Sequence, residues 1–170
     1  MTLSDRIERT MLLPVPRERV WDAVTKPEQL AHWFGVVSDM DFRVGGAIHF
    51  TWNNEPCPYT GRIEVIEEPH RFAFRWPSYA VGHPKVTFAT APSTLVEITL
   101  EDRADQTQLT LVESGFASLP QPIAAGEAYQ DNQQGWQAGL SALHAYLQQS
   151  QVEAVEPRSG PWEGGLAGCG

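Results

Sequence analysis

A chain of 170 residues with 42% hydrophobic and 19% charged residues carries enough apolar material to bury the core of one domain. Its formal net charge of −9, from 12 Lys and Arg against 21 Asp and Glu, excludes the basic surface that nucleic acid or an anionic membrane requires. No run approaches the roughly 18 consecutive apolar residues of a membrane span, and Met1 to Arg9 is charged where a signal peptide needs an apolar stretch, so the expected location is the cytoplasm, without membrane insertion.

Arg6 to Leu13 (RIERTMLL) alternates charged and apolar residues before Pro14, which predicts a first strand. Pro16 then opens a short helix whose apolar face is Val20, Trp21 and Val24, a proline being suited to a first helical turn. Pro27 opens a second, with Leu30, Trp33 and Phe34 as its apolar set.

From Val36 the period changes to two. Val37 to Phe42 and Ala47 to Trp52 form a hairpin across Gly45-Gly46, with Ile48, Phe50 and Trp52 on one face. Asn53 to Pro56 is a further turn. Tyr59 to Ile66 and His70 to Trp76 are two more strands joined at Glu67-Glu68-Pro69, and Phe72, Phe74 and Trp76 mark the core side of the second. Its outer face carries Arg75, which is placed to pair with Glu97 across the sheet. Pro77 to Ser93 reads as a long loop with a short strand at Lys85 to Ala89. Thr94 to Asp102 and Gln106 to Ser114 are the last pair, with Val96, Ile98 and Leu100 facing Leu109 and Leu111 across Ala104-Asp105.

After a Pro/Ala-rich connector, Ala117 to Ala125, the stretch Gly126 to Gln149 predicts one long amphipathic helix. Trp136, Leu140, Leu143 and Leu147 follow helical spacing on one stripe, with Tyr129 one step back. Gly135 and Gly139 lie near this stripe, where they let a sheet backbone come close. Gln133, Gln134, Gln137, Ser141, Gln148 and Gln149 make the solvated side. Residues 151–170, rich in glycine and proline, read as a flexible tail after a domain of 1–150.

Strand, two short helices, about six to seven antiparallel strands and a long helix give an α+β fold in which a curved antiparallel sheet wraps the last helix. The space between them is a place for a small ligand. Phe50, Trp52, Phe72, Phe74 and Trp76 from the strands and Tyr129 and Trp136 from the helix either line such a cavity or pack as plain core. Glu113 follows Leu109 and Leu111 at period two and so points to the core side, where a carboxyl is costly unless hydrogen-bonded and its pKa tends upward. It anchors a ligand hydroxyl, acts as an acid/base group, or ends its strand in a salt bridge or a cap on Ser114-Gly115.

The other chemistry-bearing residues form no site. The 5 histidines have no metal spacing, and His32 beside Trp33 is read as a surface or turn residue. Cys57 and Cys169 fit neither zinc nor a structural disulfide. Glu113-Ser-Gly is not a nucleophile elbow. No catalytic set, metal or cofactor is expected.

Four features in order carry a family resemblance: Val20 to Phe34 (VWDAVTKPEQLAHWF), Gly45-Gly46, Glu113 to Phe116 (ESGF), and Gly135-Trp136 followed by Leu140, Leu143 and Tyr146-Leu147. Together, from about Ile7 to Leu147, the chain resembles the family named after the activator of 90-kDa heat-shock-protein ATPase, in the START-like, birch-pollen-allergen-like (SRPBCC) helix-grip superfamily. The resemblance implies a helix-grip fold and an acidic or polar residue at Glu113, and the superfamily includes hydrophobic-ligand carriers, aromatase/cyclases and stress-linked proteins.

The expected function is binding of a small hydrophobic or amphipathic molecule between sheet and helix, without catalysis, using Phe50, Trp52, Tyr59, Phe72, Phe74, Trp76, Glu113, Tyr129 and Trp136. One alternative is a cyclase- or hydrolase-like enzyme with Glu113 as acid/base beside Tyr59 or His32. Another is a co-chaperone-like stress-response protein, although chaperone contact is not expected because the chain opens directly on the helix-grip strand. A homodimer is compatible with a domain of this size.

Overall fold

A computed structural model describes residues 5–34, 36–51, 59–77, 93–118 and 122–149. Strand β1 (Arg6–Leu13) is followed by helices α1 (Arg17–Thr25) and α2 (Pro27–Leu30). Strands β2 (Val36–Met40), β3 (Ala47–Thr51), β4 (Tyr59–Glu67), β5 (Arg71–Pro77), β6 (Ser93–Arg103) and β7 (Gln106–Ser114) then run as a meander. A short 3₁₀ turn (Phe116–Ser118) and the long helix α3 (Pro122–Gln149) follow. One seven-stranded antiparallel sheet has the order β1-β7-β6-β5-β4-β3-β2, so β1 returns to pair with the last strand. This is the helix-grip α+β fold that the element order predicts.

Alternation decides which side chains go inward. Thr94, Val96, Ile98 and Leu100 of β6 and Thr107, Leu109, Leu111 and Glu113 of β7 are buried, and Phe72, Phe74 and Trp76 do the same for β5. In register, Ile98 faces Leu111 and Leu100 faces Leu109, as expected, while Val96 faces Glu113. Trp136, Leu140, Leu143 and Leu147 of α3 are all buried against them. Helices α1 and α2 add Val20, Trp21, Val24, Leu30, Trp33 and Phe34 to the same core.

Two expectations are corrected. Helix α3 begins at Pro122, four residues before Gly126, because a proline suits the first turn of a helix, where its missing N–H has no partner to lose. On the outer face Glu97 pairs with Arg71 at 2.5 Å, while Arg75 reaches Glu64 at 3.6 Å. The β5–β6 register sets Glu97 opposite Ala73 and Arg75 opposite Leu95, which carries the guanidinium of Arg75 toward β4 instead. The expected turn at 53–56, the short strand at 85–89 and the tail 151–170 lie outside the described residues.

At the β2–β3 connection Gly45 has φ +86°, a backbone state that side chains disfavour. At Gly46 a Cβ would stand 1.9 Å from the Asp41 carbonyl oxygen. The pair also bonds to β4, the Gly45 N–H to the Ile63 carbonyl and the Ile63 N–H to the Gly46 carbonyl. The two glycines therefore fix how the hairpin sits on the sheet.

Candidate functional site

Glu113 lies near the end of β7 and is 0% exposed. Its period-two position brings it inward, and three other elements converge on it. Trp76 of β5 donates its indole N–H to Oε2 at 2.8 Å, and Thr94 of β6 donates its hydroxyl to the same oxygen at 2.5 Å. Trp136 of α3 donates its indole N–H to Oε1 at 2.8 Å. Asn132, one helical turn earlier, spans both oxygens with its amide nitrogen, at 3.1 and 3.0 Å.

A carboxyl with four donors and, among the described residues, no cation in salt-bridge range is pulled two ways. Burial pushes its pKa above the ordinary glutamate value, and the bonds from Thr94, Trp76, Trp136 and Asn132 oppose that shift without cancelling it. The neutral form also has a place. The Trp76 N–H lies 3.1 Å from Thr94 Oγ1 as well, so when Oε2 carries a proton and donates it to Thr94, the indole keeps an acceptor.

Beside the carboxyl the aromatic residues stack. The Trp76 and Trp136 ring centroids are 5.6 Å apart, and Phe34 lies 5.9 Å from the first and 5.7 Å from the second with its plane within 26° and 22° of theirs. Phe74 meets Trp76 edge-on and Phe72 at a tilt. Among the described residues a void of about 20 Å³ lies between Trp33, Phe34, Phe72, Phe74, Ile98 and Trp136, room for about one water but with apolar walls.

Of the residues singled out in the sequence, Phe72, Phe74, Trp76, Glu113 and Trp136 come together here. Tyr129 packs edge-on against Phe116 at 5.2 Å. The strands place the backbones of Phe50 and Tyr59, but their side chains, like the whole of Trp52, lie outside the described residues. His32 stacks on Tyr146 at 4.6 Å, away from Glu113. Among the described residues no group of three or more His, Cys, Asp or Glu can hold a metal ion, and no described helix is long and apolar enough to cross a membrane.

Two residues of the site were missed. Asn132 precedes Trp136 by four positions and so shares its helix face. Thr94 continues the inward parity of Val96, diagonal to Glu113. Both signals were present in the spacing, but neither residue is apolar, so the stripe passed over them.

The sequence from residue 14 to 148 matches the model of the Activator of Hsp90 ATPase homolog 1-like protein family. The chain belongs to that family. Solved structures share its fold. DynU16, from the dynemicin biosynthetic locus, is similar at 25% identity and a TM-score of 0.67, over 86% of this chain and 48% of DynU16. This chain therefore spans about half the length of that protein. CalU16 from Micromonospora echinospora is similar in fold at 23% identity and a TM-score of 0.61, over 84% of this chain and 73% of CalU16. The Aha1 dimer from Colwellia psychrerythraea is similar in fold at 16% identity and a TM-score of 0.63, over 85% and 96% of the two chains. No curated protein matches this sequence. Within the Activator of Hsp90 ATPase homolog 1-like family, the feature of this member that bears on chemistry is the buried carboxyl tying helix to sheet.

Proposed function

We propose that this protein binds one small, largely apolar molecule between α3 and the sheet, with Glu113 as its polar anchor and without a chemical step. The observation that carries the reading is the placement of a fully buried carboxyl at the edge of an aromatic cluster, with four donors and, among the described residues, no cation. A few polar groups among apolar walls are what fix the orientation of a bound ligand. Three of the four donors are buried side chains, and Asn132 is half-buried. A ligand hydroxyl or amine is recognised by taking over the Asn132 contact.

The acid/base alternative needs a second ionisable group converging on the same ligand atom. Among the described residues none contacts Glu113, and His32 is engaged with Tyr146. Binding is the reading that needs the fewest additional groups.

Native mass spectrometry of the freshly purified protein, beside the denatured chain and beside native protein incubated with a panel of small amphipathic molecules, tests it. A one-to-one mass excess that disappears on denaturation is expected. A bare native mass throughout the panel would contradict the proposal.

A further inference from the structure

The two edges of the sheet are built differently. β2 has 5 residues and a register break between Val37 and Asp39, and a short, irregular strand is a poor template for a further one. β1 has 8 residues in unbroken register with β7, and RIERTMLL holds neither proline nor lysine. Among the described residues no strand pairs with its other side. The Gly115 N–H bonds to the Asp5 carbonyl, so by the alternation of an antiparallel ladder the odd residues of β1 are bonded to β7. Arg6, Glu8, Thr10 and Leu12 then turn their N–H and C=O groups to the open side. The Glu8 carbonyl already takes a donor there, the guanidinium of Arg9 at 3.1 Å.

We infer that β1 pairs antiparallel with β1 of a second copy of this chain, Arg6 opposite Glu8 and Ile7 opposite Ile7, so that two sheets join into one. The charges select both the occupant and the register. In this pairing Arg6 lies against Glu8 and Asp5 against Arg9, each twice by the two-fold axis, and opposite charges directly across two strands stabilise the pair. The neighbouring registers that keep the same faces together set Arg6 against Arg6, Glu8 against Glu8, or Arg9 against Arg9, which is unfavourable. Arg6 and Glu8 are 57% and 54% exposed and pair within their own strand at 2.6 Å, so each trades that partner for the same group across the axis at little cost. Arg9 leaves the Glu8 carbonyl to the Arg6 N–H of the second copy and turns to Asp5. The inference is independent of the ligand reading above.

Sedimentation velocity of the full chain over a concentration series up to about 500 µM, which reaches a weak dimer of small interface, tests this on wild type, E8R and R6E/E8R. Salt of about 0.15 M screens the general repulsion between two chains of formal charge −9 beyond about 8 Å. The expected result is a monomer–dimer equilibrium in wild type, about tenfold weaker in E8R, where Arg6 meets an arginine, and restored to within about threefold in R6E/E8R, where the charges are exchanged. Should either variant fail to fold, as judged by its far-ultraviolet circular dichroism, E8Q against wild type carries the comparison, with about a threefold weakening expected. A wild type that stays monomeric throughout overturns the inference. So does a dimer of equal strength in all folded variants, which would place the contact elsewhere, or a double variant no stronger than E8R, which would deny the register.

Discussion

Trp136 and Glu113, 23 residues apart in sequence, meet through an indole N–H and a carboxyl oxygen at 2.8 Å, both of them fully buried. This bond joins the long helix to the last strand. It also places a titratable group where the two halves of the fold press together, so the stability of the domain and the chemistry of the site depend on the same contact.

The first prediction concerns pH. Burial holds the folded Glu113 carboxyl above its ordinary value of about 4.3, so the native state binds this proton more tightly than the unfolded chain. The sign of the linkage follows: this contribution favours folding most below about pH 4.3 and is lost as pH rises through the raised value. Urea midpoints of E113Q should fall less steeply than those of wild type as pH rises from 4 to 8. Parallel slopes would show that Glu113 titrates as it does in the unfolded chain.

Glu113→Ala removes the acceptor from Trp76, Thr94, Asn132 and Trp136 together. Leaving buried donors unsatisfied costs about 1–3 kcal/mol each, not fully additive, so E113A should lose about 3 kcal/mol or more in denaturant unfolding. A loss below about 1 kcal/mol would mean that the four donors find water or other partners.

Trp136→Phe keeps a ring against Phe34 and removes the N–H, leaving Oε1 with Asn132. We expect a loss of about 1–3 kcal/mol and a further rise of the Glu113 pKa, since one of the bonds that lower it is gone. In a double-mutant cycle with E113Q the two changes should be strongly non-additive. Additive losses would indicate that the indole matters only through its packing.

Gly46→Ala puts a methyl group into the Asp41 carbonyl. The neighbour is backbone and cannot swing away, so the loss should exceed about 2 kcal/mol. Arg71→Ala on the outer face provides the contrast. Its pairs with Glu97 and Glu67 are solvent-exposed to a third or more on the arginine side, and removing them should change stability by less than about 1 kcal/mol. Thermal melts of the two variants side by side decide both.

Much of this was legible in the sequence because the elements follow strong periods. Arg6–Leu13 and Gln106–Ser114 have the bounds that alternation predicts, and the stripe Trp136, Leu140, Leu143, Leu147 is buried as its spacing requires. Glu113 could be placed inward by parity alone. Its partners were harder to see: spacing puts Thr94 and Asn132 on the inward faces, but only strand register, one pairing away for Thr94 and two for Trp76, and the helix–sheet contact for Asn132 bring them to Glu113. Nor does periodicity tell a lined cavity from a filled one. Phe34 belonged to the apolar face of a short helix in the sequence, and only the fold sets it against both Trp76 and Trp136. The partner of Glu97 was missed for a similar reason: parity gives the face of a strand, but register decides whether Arg71 or Arg75 is within reach.

The central claim is that a ligand enters between α3 and the sheet and is read by Glu113. The most direct measurement follows the indole N–H resonances of Trp76, Trp136 and Trp21 by two-dimensional NMR during titration with a small amphipathic molecule that gives the native mass excess. Trp21, on α1 and outside the lining of the void beneath α3, serves as the internal reference. Saturable, one-to-one movement of the Trp76 and Trp136 signals, with Trp21 little changed and the response lost in E113A, is the predicted result. Binding that leaves those two signals where they were would contradict the account, because the ligand would then sit elsewhere on the protein.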